Sequence, residues 1–343
     1  MNKLLTIVVA AYNKEEMLPR CLDSLIIESS LMEMVQVIVV NDGSEDSTLQ
    51  VAEKYAQKYP GYFTVIDKEN GNYGSVMNTA LPLSVGKYFR TLDADDWYNT
   101  EDYAKFVKEL GDTDAEMIIT QREDYDLDIN EKKRNTPVFG HAVPVWREIN
   151  SREIDWNDIT IRGNLNVPHI TYKTELLRRS NLHWIEHIFY TDTMFDFWPL
   201  RFVNVVKFLP LDVYVYLTGS NDQSTNPVNV RKNLPHFIMV ATALIDEFHN
   251  NFNKDCPMIH VQYFFISQLM DNIYINLLWG DQNRDLVQAI HQKLCTIPFL
   301  KDKYVNKTYH GIRYLKDFES GKLPISFRIL RKIRLWKYGS LHF

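Results

Sequence analysis

What the chain lacks narrows its class before any motif is read. No apolar run reaches the roughly 18 to 20 residues that a membrane-spanning helix needs, so none is expected. The apolar run over residues 4–11 stops at Tyr12-Asn13-Lys14-Glu15-Glu16, too short for a secretory leader and without its cleavage region. Only three cysteines occur, Cys21, Cys256 and Cys295. Their scatter offers neither a disulfide framework nor zinc-ligand spacing, and a reducing cytoplasm is the expected setting. There is no basic excess either: the formal charge of −6 speaks against nucleic acid as a partner. A Gly-rich fingerprint after the first apolar run and a Gly-Lys-Ser/Thr phosphate loop are both missing, which disfavours dinucleotide binding and the P-loop NTPases. No internal repeat or low-complexity segment is found.

What is present is a chain of 343 residues, 45% of them apolar, enough for one large domain or two modest ones. Residues 4–10 form an uninterrupted, β-branched apolar run, the pattern of a strand buried on both faces. Helical spacing follows over 15–27. Further strands are expected at 35–40, 63–66, 88–92 and 115–120, and further helices from the cap at Ser47-Thr48 to about residue 59, at 75–83 and at 101–110. This alternation implies an α/β fold with a mostly parallel central sheet flanked by helices, whose ligands sit beyond the carboxyl ends of its strands.

Three polar loops then share one edge: Ala11-Tyr12-Asn13, Asn41-Asp42-Gly43-Ser44 and Asp93-Ala94-Asp95-Asp96. Between them lies Glu69-Asn70-Gly71-Asn72-Tyr73-Gly74-Ser75, whose glycines allow a close approach of backbone to ligand. Carboxylates gathered where the run Arg90-Thr91-Leu92 ends repel one another unless a cation sits among them, and a divalent metal carrying a phosphate is the natural candidate. Alone, Asn-Asp-Gly-Ser is a turn with a helix cap, and Asp-x-Asp is usually solvated. Their joint occurrence at successive strand ends is what points to function.

Four segments, Thr6-Ile7-Val8-Val9-Ala10-Ala11-Tyr12-Asn13, Val39-Val40 through Thr48, Asn70 through Asn78, and Leu92-Asp93-Ala94-Asp95-Asp96, resemble in order and spacing the family 2 glycosyltransferases with a GT-A fold. The resemblance covers the first third of the chain. It implies an inverting transfer of a hexose or N-acetylhexosamine from a UDP-sugar to a sugar hydroxyl of a glycan, lipid-linked or protein-linked acceptor, in surface polysaccharide or glycoconjugate assembly. It further implies that the backbone of Ala11, Tyr12 and Asn13 holds the nucleotide and that Asp42 accepts a hydrogen bond from uracil. Asn70, Gly71, Ser75 and Asn78 would line the donor, and Asp93 with Ala94 would face the ribose or donor sugar. Asp95, with Asp96 as the close alternative, would ligate Mn²⁺ or Mg²⁺ on the diphosphate. One departure stands out: the family often carries Ala-Arg before the asparagine at Asn78, where this chain has Val76-Met77. The cation so lost leaves Lys68 or Arg90 as substitutes near the phosphates.

An inverting transfer also needs a carboxylate to take the acceptor's proton. In His187-Ile188-Phe189-Tyr190-Thr191-Asp192 a lone aspartate follows an aromatic run and precedes a helix, and the resemblance implies the general base there. Asp192 is the first choice, with Glu186 and Asp196 behind it and a simple helix cap as the alternative. On the acceptor side, His169 touches acceptor or phosphate, or is a histidine satisfied within the sheet. Trp156 is a sugar-facing ring or a core ring. Gln223, in the polar stretch 219–227, closes over the diphosphate or belongs to an exposed linker.

From about residue 230 the pattern turns helical, at 234–250, 259–279 and 284–295. Two regions are therefore expected: a catalytic domain over 1–225 (nucleotide-sugar binding in 1–114, acceptor side and base in 115–225) and a helical region over 226–343. The stretch Ser326 to Tyr338 interleaves five basic residues with apolar ones. It is read as a peripheral contact with the inner face of the cell membrane, against a docked helix with a basic outer face. Two other functions stay in view: a sugar nucleotidyltransferase, for which Ala11-Tyr12-Asn13-Lys14 is a poor phosphate loop, and a non-catalytic partner subunit retaining the fold.

Overall fold

The computed structural model describes residues 3–127, 131–134, 145–156, 165–219, 227–276 and 283–308. They fall into two units, one within Met1–Gln223 together with Asp255–Val261, the other within Ser224–Lys254 and Gln262–Phe343.

The first unit is built on β1 (Leu5–Ala11), β2 (Val35–Asp42), β3 (Phe63–Lys68) and β4 (Tyr88–Asp93), parallel and in the order β3-β2-β1-β4. Leu5, Ile7, Val8 and Val9 of β1 are fully buried, which is why the run is apolar at every position rather than at alternate ones. Register brings the strand ends level. Ala10 lies opposite both Val40 and Asp93, Ala11 opposite Asn41, and Asn41 opposite Asp67. The loops carrying the candidate residues are therefore neighbours along one edge.

Helices α1 (Leu18–Asp23), α2 (Ser29–Met32), α3 (Thr48–Lys58) and α4 (Asn72–Leu83) connect these strands, and α5 (Thr100–Gly111) follows them. The helix expected over 15–27 is confined to α1. Pro19 fits only a first turn, and the Ser24 hydroxyl donates back to the Cys21 carbonyl at 2.5 Å, closing the helix. In α5 the Asn99 side chain accepts from the Asp102 N–H, while Tyr103, Phe106, Val107 and Leu110 point inward at helical spacing.

Beyond β4 the sheet becomes mixed. Its remaining strands are β5 (Trp97–Tyr98), β6 (Met117–Asp126), β7 (Glu131–Arg134), β8 (Glu148–Asn150), β9 (Ile170–Lys173) and β10 (Val205–Thr218), and the order continues β4-β9-β6-β10-β5. The short β9 is antiparallel to both β4 and β6 and so joins the two halves. Strand β10 runs parallel to β6 with irregular register between Leu209 and Tyr214. Helices α6 (Thr174–Arg179) and α7 (Asp192–Phe197) lie between β9 and β10. The architecture is the expected α/β one, with a parallel half that carries the loops.

Arg90 occupies the middle of β4 and is fully buried. Its guanidinium donates to the Thr171 and Thr120 hydroxyls at 2.9 and 3.0 Å and to the Pro168 carbonyl at 2.5 Å. It also lies over the rings of Tyr98 and Phe106. This residue ties β4 to β9 and β6 and does not reach the strand end, so the expectation that it substitutes near phosphates is corrected.

The second unit holds α8 (Pro227–Lys232), α9 (Leu234–Asn250), the part of α10 (Ile259–Asn276) from Gln262 on, and α11 (Arg284–Cys295). Its polar interior includes the Tyr304 hydroxyl donating to Asp271 at 2.6 Å and Tyr274 bonded to His291 at 2.5 Å. Among the described residues no helix is long and apolar enough to cross a membrane. The stretch Ser326 to Tyr338 lies outside the described residues.

The Arg90 tie is open to a direct check. Arg90→Ala removes three hydrogen bonds and two ring contacts together, so urea melts should lose about 3 kcal/mol or more of unfolding free energy. A loss below about 1 kcal/mol would contradict the tie.

Candidate active site

The segment Asp93-Ala94-Asp95-Asp96 closes as a tight turn. The Asp96 N–H donates to the Asp93 carbonyl at 3.0 Å and the Ala94 N–H to the Ala10 carbonyl at 3.2 Å. Arg20 lies over the Trp97 ring, 3.8 Å from its centroid, and donates to the Asp95 carbonyl at 2.9 Å. Within this turn the three carboxylates go three ways.

Asp96 turns inward and is buried. Both its oxygens are engaged: the Tyr214 hydroxyl donates to Oδ2 at 2.6 Å and the Leu217 N–H to Oδ1 at 2.7 Å. The same Tyr214 oxygen accepts from the Asp93 N–H at 3.3 Å. Asp95 faces outward, with Oδ2 on the Lys14 ammonium at 2.9 Å and Oδ1 without a partner among the described residues. Asp93 has its carboxyl pushed up to about 7 by burial first and then by repulsion from Asp95 and Asp192, with Lys14 pulling the other way. The Asp96 carboxyl is also raised, by burial and then by Asp93 and Asp95.

The first two loops are interlocked. Asn13, at φ +50°, receives a hydrogen bond from the Glu45 N–H on its side chain at 2.8 Å and donates its own N–H to Ser44 at 3.0 Å. The Lys14 N–H donates to the Thr48 hydroxyl at 2.7 Å. Asp42 is buried, and its Oδ1 accepts from Lys68 at 2.9 Å and from the Gly71 N–H at 3.0 Å. Its Oδ2 has no partner among the described residues. The Asn70 side chain donates to the Asp42 carbonyl at 2.9 Å. Gly43, at φ +72°, is required here, because a Cβ would lie 2.7 Å from the Asn70 nitrogen. Ala11 and Ala94 are buried, whereas Tyr12 is exposed. Ser75 is buried, and its carbonyl accepts from the Thr79 hydroxyl.

Asp192 opens α7 at its first helical position, after Thr191. Its side chain is exposed, yet burial among surrounding protein raises its carboxyl pKa against the N–H groups of Thr193 and its own backbone. The Asp93 carboxyl is raised in part by the charge of Asp192, and the Tyr73 hydroxyl in part by Asp93, Asp192 and Asp196. Asp196, one turn further, is buried with Oδ1 unpartnered among the described residues. Glu186 is committed elsewhere, accepting from Asn78 at 2.9 Å. Asn78 also bonds the Trp184 carbonyl at 2.9 Å and N–H at 3.0 Å, so its amide straps the 184–186 segment to α4. The His187 N–H donates to the Gly71 carbonyl at 2.7 Å. His187 and Tyr190 both sit at positive φ, a strained backbone for bulky side chains, between that anchor and Asp192.

Other expected residues lie apart from the cluster or outside the described residues. His169 is buried, with Nδ1 on Asn166 at 2.8 Å and Nε2 unpartnered among the described residues. Burial, then Arg122 and Arg90, hold its pKa well below the usual imidazole range. Trp156 is 3% exposed and its indole N–H donates to the Ser151 carbonyl at 2.8 Å, a core position closed to a sugar ring. Gln223 lies outside the described residues. Lys68 is spent on Asp42. Lys14 is the cation beside Asp95 and was not among the expected site residues; its signal was its place, the first cation after β1 on the edge that carries Asp93.

Among the described residues no three His, Cys, Asp or Glu side chains close around a cation. The donor set suits an ion held by one or two carboxylates and completed by phosphate oxygens, as Mg²⁺ commonly is. Asp95 Oδ1 is open to such an ion, and the repulsion raising Asp93 is what a cation would relieve.

A family model described as Glycosyl transferase family 2 matches residues 6–183, just over half of the chain, and ends before Asp192. An uncharacterized glycosyltransferase of Mycoplasma pneumoniae, the MG025 homolog, is 29% identical over 236 residues, covering 66% of this chain and 72% of its own. The putative glycosyltransferase EpsH of Bacillus subtilis is 27% identical over 218 residues, 62% of this chain and 60% of its own. The poly(ribitol-phosphate) beta-N-acetylglucosaminyltransferase TarS of Staphylococcus aureus is 24% identical over 348 residues, 94% of this chain and 58% of its own. The chain thus spans less than two thirds of EpsH and TarS. Among solved structures, TarS 1-349 in complex with UDP-GlcNAc superposes with a TM-score of 0.64 at 16% identity, covering 99% of this chain and 93% of that one. The mannosyltransferase PcManGT from Pyrobaculum calidifontis, in complex with GDP-Man and Mn²⁺, gives 0.54 at 14% identity, covering 97% and 87%. Both share the fold.

The raised Asp93 carboxyl has a consequence for stability. A carboxyl favoured neutral in the fold contributes stability that is present below the ordinary carboxylate range and lost as pH rises through about 7. Asp93→Asn should therefore raise the melting temperature at pH 8 in chelator and leave it nearly unchanged at about pH 3. An equal shift at both pH values would contradict the crowding of charge at this turn.

Proposed function

This chain belongs to glycosyl transferase family 2, and from that premise we propose that it is a metal-dependent, inverting enzyme transferring a hexose or N-acetylhexosamine from a UDP-sugar to a sugar hydroxyl. The observation that carries the proposal is Asp192: a carboxyl with raised pKa, open to solvent, electrostatically in touch with the Asp93 and Asp95 turn. A carboxylate of raised basicity facing a nucleotide site suits it to take the acceptor's proton.

In this reading Asp42 Oδ2 accepts from the uracil ring, and the backbone of Ala11 to Asn13 and of Asn70-Gly71 holds the nucleotide. Asp93 faces the ribose or donor sugar. Asp95 holds Mn²⁺ or Mg²⁺, since Asp96 already spends both oxygens on Tyr214 and Leu217. When bound, the ion supplies positive charge against the charge that builds on the departing diphosphate. Asp192 removes the acceptor proton as that oxygen bonds to the anomeric carbon, and the bond from this carbon to the diphosphate oxygen breaks on the opposite face. Attack from the face opposite the diphosphate inverts the configuration.

The similarity to TarS supports a UDP-sugar donor, and its name supports an acceptor in cell-surface glycopolymer assembly. Contact with an anionic membrane surface through Ser326 to Tyr338 rests on sequence alone. Family membership weighs against the sugar nucleotidyltransferase and the non-catalytic subunit.

The test incubates the full chain with a panel of UDP-sugars and oligosaccharide acceptors while free UDP is followed. Release should stop in chelator, and Asp192→Asn should lower kcat about a hundredfold or more with UDP affinity kept. Turnover unaffected by chelator would contradict the metal, and wild-type kcat in Asp192→Asn would contradict the base. Pyrophosphate from UTP and a sugar phosphate would reinstate the nucleotidyltransferase.

A further inference from the structure

We infer that Lys14 is a charge latch on the donor site: its ammonium holds Asp95 until a divalent ion arrives together with a nucleotide diphosphate, and then passes to the diphosphate. This rests on the reading of Asp95 as the ion's ligand.

The chain has Met77, fully buried, where its family often places an arginine, so the start of α4 lends no cation from that position. The other candidates are accounted for by contacts. Lys68 is paired with Asp42, Arg90 lies inside the sheet, and Arg20 is held between Trp97 and the Asp95 carbonyl. Lys14 alone among these cations puts its charged head on a carboxylate of the cluster, 2.9 Å from Asp95 and near enough to lower the Asp93 carboxyl.

The two ends of Lys14 are held differently. Its backbone N–H is pinned to Thr48 at 2.7 Å, next to the interlocked Asn13. Its side chain is 28% exposed and ends in a point charge on a flexible four-carbon stem. A pinned root with a flexible stem allows the ammonium to change partners without moving the loop.

Charge decides when it does so. A bare divalent cation at Asp95 must displace the ammonium and then sit beside it, like charge against like. A cation that brings a diphosphate also brings a new anionic partner for the displaced ammonium, with charge-assisted hydrogen bonds. Lys14 thus disfavours the ion alone and favours ion with nucleotide, and the two effects have opposite signs.

That pair of signs is the test. Mn²⁺ alone, UDP alone and UDP with Mn²⁺ are titrated by calorimetry into the full-length wild type, Lys14→Met and Lys14→Arg, with thermal melts to check folding. In Lys14→Met the affinity for Mn²⁺ alone should rise about two- to fivefold, as expected from losing an exposed ion pair. The affinity for UDP with Mn²⁺ should fall about tenfold or more, with Lys14→Arg restoring most of it. A merely structural lysine would weaken both. Changes of the same sign, or no change in either, overturn the latch while leaving the nucleotide site standing. A wild type that binds no UDP in Mn²⁺ overturns the nucleotide reading and the latch with it.

Discussion

Mutual repulsion among Asp93, Asp95 and Asp96 is the constraint on which this edge of the protein turns. Three carboxylates within four residues cannot all remain free anions at the end of one strand. The structure separates them by giving each a different environment. Asp96 is neutralised in effect by two donors from β10, Asp95 by Lys14, and Asp93 by holding its proton to about 7. The result is a turn with one carboxylate built in, one paired with a lysine, and one poised between charge states.

Everything that positions the turn follows from that division. Because Asp96 belongs to the framework, the return of β10 to the end of β4 is part of the site, and Tyr214 joins Asp96 to the Asp93 backbone through one oxygen. Because β1, β2 and β4 end level, Asp42 and the interlocked loops stand beside the turn. The segment before Asp192 is strapped to the same edge by Asn78 and by the Gly71 carbonyl. A carboxylate with raised pKa therefore reaches the cluster from a different part of the chain. The two parts of this edge are joined by backbone and amide contacts.

How much of this was legible depended on the range of the forces involved. The parallel strands were readable because a strand buried on both faces is apolar at every position, and β1 to β4 emerged close to the expected residues. The edge was readable too, since parallel strands put their loops together. The helices at 234–250 and 284–295 were plain from their apolar stripes. The role of Asp96 was not readable, because its partner Tyr214 is 118 residues away and nothing local distinguishes a pinned aspartate from an open one. Asn78, expected to face the donor, spends its amide on Trp184 for the same reason. Trp156 shows the limit of composition: an indole suited to stacking on a sugar suits a core equally well. Lys14 was passed over because its head reaches a residue 81 positions on, a contact set by tertiary geometry.

The central claim is that the turn's carboxylates are divided, with Asp95 open to an ion and Asp96 closed to it. Anomalous diffraction from crystals grown with UDP and Mn²⁺ tests this most directly, because it locates the ion without reference to activity. One Mn²⁺ peak about 2.1 Å from an Asp95 oxygen, with Asp96 still bonded to Tyr214 and Leu217, is the predicted result. A peak on Asp96 with those two bonds broken would contradict it.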